Sequence, residues 1–244
     1  MNNKLQSRWV ILIAVFVVYA SCSTSYTEIN REVENQPSTS SLIIEQTDIA
    51  IDSDLDLIWQ DEFLGDALNN RKWDFQIGNG VNGWGNNELQ FYTSSKNNYE
   101  LSKGLLKIVP LYDSSHDQPY TSSKLVTKNK FSFKSPGIIS VKFKVPQGQG
   151  LWPAIWMMPV HSIFGGWPRS GEIDLMEARG SNPQQVLSTL HFFQNGHMYE
   201  GGDRYEAQAT NFNEVFHTVD LVWNKEKISF YIDKKHLVFE ASLN

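Results

Sequence analysis

A chain of 244 residues, 41% of them apolar, holds enough material for one domain with a sizeable core. Its net charge of −6 and lack of any basic run argue against a nucleic-acid partner, whose phosphates demand clustered Lys and Arg. The single cysteine, Cys22, excludes an intrachain disulfide. Aromatic residues make up 13% and include 8 Trp, whose flat apolar faces with a polar handle suit stacking on sugar rings and a sandwich core equally well.

At the N-terminus, Lys4 and Arg8 precede an apolar run from Trp9 to Ala20, followed by Ser21 and Ser23. A basic start, a short apolar centre and a small-residue exit predict a secretory signal peptide over residues 1–22. The run is short for a membrane span, which needs about 20 apolar residues. Tyr19-Ala20-Ser21-Cys22 is also similar to a bacterial lipoprotein signal, in which the Cys is lipidated after cleavage. Tyr19 stands where that motif usually has Leu. The expectation is an exported protein, either extracellular or held at the cell surface or outer membrane through lipidated Cys22. Residues 23–55, rich in Ser, Thr, Asn, Gln and Glu, read as a flexible linker. The alternative there is a degenerate strand around Leu42 to Ile44.

From residue 56 the texture changes. Leu57-Ile58-Trp59-Gln60-Asp61-Glu62-Phe63 reads as a first strand. Short apolar or alternating runs then recur at 89–92, 105–109, 124–126, 138–145, 151–158, 172–177, 187–193, 216–223, 227–232 and 237–240. Gly, Pro, Asn and Ser clusters separate them, and no long stretch keeps helical period. This pattern predicts an all-β domain over residues 56–244, an antiparallel sandwich or barrel. In Ile139–Val145 the odd positions are apolar and the even ones polar, which gives a strand with one wet face. Leu151–Met158 is apolar on both faces, so it is covered on both sides or one side meets a ligand. Trp152 and Trp156 share a face there and line either a cleft floor or the core.

Glu172-Ile173-Asp174-Leu175-Met176-Glu177 crowds three carboxylates among apolar neighbours. Carboxylates are rarely buried unless paired or put to use. In a strand Glu172 and Asp174 share one face, but strict period two turns Glu177 away. One extra residue, a β-bulge, brings Glu177 back. Two Glu flanking an Asp suit acid/base and nucleophilic work on a glycosidic bond; a solvated edge strand is the other reading. Carboxyls about 5 to 5.5 Å apart fit a retaining mechanism, and a wider gap leaves room for water and inversion. Glu172 and Glu177 lie roughly 13 Å apart at Cα along a bulged strand, a gap that converging side chains close in good part. Like-charge crowding keeps one of the acids protonated near neutral pH. No His or Cys stands at metal-ligand spacing, and no Gly-rich phosphate loop is present.

Gly171-Glu172-Ile173-Asp174-Leu175-Met176-Glu177 resembles the catalytic strand of glycoside hydrolase family 16, in the bulged form of its laminarinase-like members. Trp84 to Thr93, Gly150 to Met157, Gly166-Trp167-Pro168, Phe216 to Trp223 and Ile228 to Asp233 match the family too, in order. The resemblance implies a concanavalin A-like β-jelly-roll sandwich with a glucan cleft on its concave face. It implies Glu172 as nucleophile, Asp174 as its hydrogen-bonding helper and Glu177 as general acid/base, in a retaining endo-hydrolysis of β-1,3-glucans or mixed β-1,3/1,4-glucans. Trp167, with Trp152 and Trp156, would meet the sugars. Asn86 and His191 are further candidates, His191 equally as a satisfied core residue. No cofactor is required for catalysis; some members carry a structural calcium, for which Glu62 is the candidate. The expected partner is the β-glucan, with the protein a monomer. A glucan-binding module without catalysis, and a hydrolase or transglycosylase acting on a galactan such as agar or carrageenan, are the alternatives. Family members continue past the strand at 237–240, so a sandwich lacking its C-terminal strands is expected here.

Overall fold

The computed structural model describes residues 9–14, 55–195, 197–207 and 210–243. In chain order the strands are β1 (Trp9–Ala14), β2 (Asp74–Phe75), β3 (Gln90–Tyr92), β4 (Tyr99–Ser102), β5 (Leu105–Ile108), β6 (Leu111–Tyr112), β7 (Tyr120–Ser122) and β8 (Leu125–Val126). They continue as β9 (Gly137–Phe143), β10 (Ala154–Pro159), β11 (Glu172–Arg179), β12 (Asn182–Phe193), β13 (His197–Glu206), β14 (His217–Trp223), β15 (Lys227–Ile232) and β16 (His236–Ser242). A seven-stranded sheet runs β13-β12-β11-β10-β1-β8-β2, and a four-stranded sheet runs β16-β15-β14-β9. Two small sheets, β3-β7-β6 and β4-β5, complete this all-β structure.

Alternation along the strands explains the two-layer packing. On β9, Ile139 and Phe143 are buried while Ser140 and Lys142 face solvent. On β10, Ile155 and Met157 are fully buried, whereas Ala154 and Trp156 face the other way and are only partly covered. The core joins Ile155, Met157, Ile173 and Leu175 of the large sheet to Phe143, Val219, Leu221 and Phe230 of the second. Each such side chain contributes about 1.5–3 kcal/mol through the apolar surface it removes from water.

The structure differs from the expected strands at several places. Leu57–Phe63 joins no ladder among the described residues. Aromatic anchors hold it instead: Trp59 meets Trp73 edge-on at 5.5 Å, and Phe63 stacks on Trp73 at 6.0 Å. The Trp73 indole N–H donates to Asp61 Oδ2 at 2.8 Å. Leu57 and Ile58 are left 75% and 72% exposed. Between this segment and β9, an edge strand, lies an apolar groove of about 680 Å³ lined by Trp59, Phe63, Val141 and Phe216 among others. The run at 187–193 is part of the longer β12, and its partner β13 has no counterpart in the sequence reading.

β1 comes from the apolar run of the expected signal peptide. It pairs antiparallel with β10, from Trp9 opposite Pro159 to Ala14 opposite Ala154, and with β8 through Leu12 and Ile13. Cys22, the rest of residues 1–22, and the linker up to residue 54 lie outside the described residues. Among the described residues no helix is long and apolar enough to cross a membrane.

Candidate active site

β11 carries the three acids, and its pairing shows how they come to one face. On one side Asp174 pairs with Trp156 and Glu177 with Ala154, with a register shift between Trp156 and Ile155. On the other side Asp174 pairs with Thr189 and Glu177 with Leu187, so Leu175 and Met176 together stand opposite Ser188 alone. Two residues against one is a β-bulge. Both bulge side chains go inward, Leu175 at 0% and Met176 at 1% exposure. The Ser188 hydroxyl donates to the Leu175 carbonyl at 2.8 Å and satisfies an acceptor that the broken ladder frees. Glu172, Asp174 and Glu177 therefore line one cleft, of about 430 Å³.

Each acid has a neighbour that aims it. The Trp167 indole N–H donates to Glu172 Oε2, and the Trp152 indole N–H donates to Glu177 Oε1 at 3.0 Å. His191, across from Glu172 on β12, places Nε2 3.2 Å from Asp174 Oδ2. Asp174 also shares a side-chain hydrogen bond with Glu172, which requires a proton on one of the two. Burial is the main cause that lifts all three carboxyls. Glu172, with Asp174 beside it, is pushed up to about 8 despite the opposing His191 charge and Trp167 N–H. Asp174 is raised well above the usual carboxylate range, by burial and then Glu177, and Glu177 is raised against the Trp152 N–H. Burial thus opposes the simultaneous ionisation of all three.

The opposite wall comes from the coil at 79–88. Gly83 has φ +55°, and a Cβ there would stand 2.3 Å from the Glu88 backbone nitrogen, so only glycine fits. This approach sets Glu88, whose carboxylate accepts from Tyr92 Oη at 3.1 Å, Gln90 Nε2 and Asn86 Nδ2 at 3.3 Å. Lys124, only 4% exposed, lies over the Trp84 ring at 4.0 Å and the Trp156 ring at 4.7 Å. Burial lowers its ammonium to about 8 against the pull of Glu88 and Glu172.

Trp156 lines the cleft, yet its ring carries the Lys124 ammonium. Trp152 and Trp167 are 46% and 52% exposed, with their N–H groups on the acids, and the Trp167 ring lies 5.9 Å from that of His191. Asn86 lines the cleft and acts on Glu88. Glu62 is exposed beside the apolar groove, away from the acids; no group of three or more His, Cys, Asp or Glu suited to a metal is found among the described residues. Lys124, Glu88 and Gln90 are cleft residues that sequence reasoning missed. The only signal for Lys124 was a lone cation within the otherwise uncharged run Tyr120–Thr127.

Residues 82–240, more than half of the chain, match the sequence profile of Glycosyl hydrolases family 16, and the chain belongs to that family. Over 204 residues it is 40% identical to Glucan endo-1,3-beta-glucosidase A1 of Niallia circulans, covering 78% of this chain and 30% of that protein. Over 184 residues it is 39% identical to Glucan endo-1,3-beta-glucosidase of Cryptopygus antarcticus, covering 72% and 66%. The chain thus spans less than two thirds of the length of either relative. Among solved structures, the laminarinase catalytic domain from Thermotoga maritima MSB8 superposes with a TM-score of 0.68 at 32% identity, covering 77% of each chain.

Proposed function

We propose that this chain hydrolyses internal β-1,3-glucosidic bonds of laminarin-type glucans, or of mixed β-1,3/1,4-glucans, with retention of configuration. The observation that carries this reading is the bulge at Leu175 and Met176, which sets Glu177 on the same cleft face as Glu172 with Asp174 between them. Glu172 attacks the anomeric carbon as Glu177 gives its proton to the departing glycosidic oxygen. The C–O bond breaks and a glycosyl ester forms on Glu172. Glu177, now a carboxylate, takes a proton from water; the water oxygen adds to the same carbon and Glu172 leaves. Asp174 shares a hydrogen bond with Glu172, and the Trp167 N–H donates to Glu172 Oε2, so both orient the nucleophile. Burial raises the Glu177 carboxyl, which favours the protonated form the first step uses.

A glucan-binding role without turnover has no use for a nucleophile and acid so aligned. Laminarin assayed for reducing ends tests the reaction, and proton NMR of the first products tests its course: the β-anomer appears first. Appearance of the α-anomer first excludes the covalent route, and no release from any glucan excludes the enzyme. Glu172→Gln abolishes turnover, while Glu177→Gln keeps some on substrates with good leaving groups, whose departure needs no proton. Near-parent activity in both variants removes these residues from the mechanism.

A further inference from the structure

The cleft continues past the acids onto the hairpin of β6 and β7. Tyr112 and Tyr120 are directly opposed across that pair and so share a face. Thr121, pointing the other way, is 1% exposed, which puts the tyrosines on the outer face. Tyr120, with Pro110, lines the cleft that holds the acids. Tyr112 is next outward at 79% exposure, its ring edge-to-face with Tyr120 at 5.7 Å and 77°. Two large rings left open at the mouth of a cleft make an apolar surface that the fold itself does not use.

The hairpin is held as a fixed support. The Asp113 N–H donates to the Pro119 carbonyl at 3.1 Å and closes the loop. His116 within the loop stacks on Phe91 of β3 at 4.1 Å, nearly parallel. β7 is itself bound on its other side to β3. A rigid aromatic face loses little entropy on contact, and its flat surface suits the C–H face of a pyranose.

We propose that Tyr112 and Tyr120 form a distal platform that binds a sugar unit of a long β-glucan, beyond the units gripped at the acids. The inference rests on the glucan reading above and extends it from bond cleavage to chain length. Polymer gains a contact there that a short substrate cannot reach.

Tyr112→Ala in the full chain tests this at a site exposed enough to leave the fold intact. The ratio of kcat/KM on laminarin to that on a short aryl β-laminaribioside falls about three- to tenfold, through KM on laminarin, and Tyr112→Trp restores it. Native gels cast with laminarin give a readout that needs no turnover: the parent is retarded and the Ala variant less so. An unchanged ratio, an unchanged mobility, or an equal loss on both substrates overturns the platform. A parent that is retarded but inactive, with retardation lost in Tyr112→Ala, removes the reaction and leaves the platform standing. A parent neither active nor retarded overturns both.

Discussion

Glu172, Asp174 and Glu177 are aimed by indole N–H groups and an imidazole, and burial also raises all three carboxyls. The same burial links the site to stability. Glu172 ionises near 4.5 when unfolded and at about 8 in the fold. Between those values the folded chain binds more protons than the unfolded one, so stability falls as pH rises through that window. Glu172→Gln removes this penalty. Its melting temperature is expected to match the parent's near about pH 4 and to exceed it by about 3 °C or more near about pH 9, read by scanning calorimetry. A gap that is the same at both pH values denies the link. Lys124 is argued at the same scale. Lys124→Met keeps the packing between Trp84 and Trp156 but removes a cation facing Glu88 and Glu172. The Glu172 carboxyl then holds its proton to higher pH, and the acid limb of kcat/KM moves upward. A limb that stays in place shows that the ammonium does not reach the nucleophile.

The bulge on β11 is the element on which the cleft depends. One of its supports is Ser188, whose hydroxyl caps the Leu175 carbonyl in a fully buried place. Ser188→Ala leaves that carbonyl without its partner, at a cost of about 1–3 kcal/mol. Denaturant titration should show the loss, and kcat on laminarin should fall with it because Glu177 is no longer held at its register. Full kcat at reduced stability separates the two roles. The bulge itself was legible in the sequence, since three acids at positions 172, 174 and 177 fit one face only with a residue added. The strands flanking it were legible as short apolar runs between turn residues. β13 was not, because Gly201, Gly202 and the charges around them erase its period. Nor was the loss of the strand at 57–63, whose apolar pattern is real but serves Trp73 rather than a ladder. Lys124 escaped because the rings that flank it, Trp84 and Trp156, come from segments far apart in sequence.

At the scale of the molecule, the second sheet ends on β9 among the described residues, and the groove beside it leaves Leu57 and Ile58 largely exposed. An unpaired edge next to apolar surface invites association between copies. Replacing both residues with Lys is expected to lower light scattering on storage or warming, with laminarin activity retained because the groove lies away from the acids. Scattering that does not change places the association elsewhere.

The six consecutive residues of β1, Trp9–Ala14, are matched to β10 along their whole length and to β8 at two positions. The same six lie within the segment that reads as an export signal. A segment zipped into the middle of a sheet has its backbone groups engaged and is not free for a secretion channel or a signal peptidase. In any one molecule, pairing of this segment with the sheet and its reading as an export signal exclude each other.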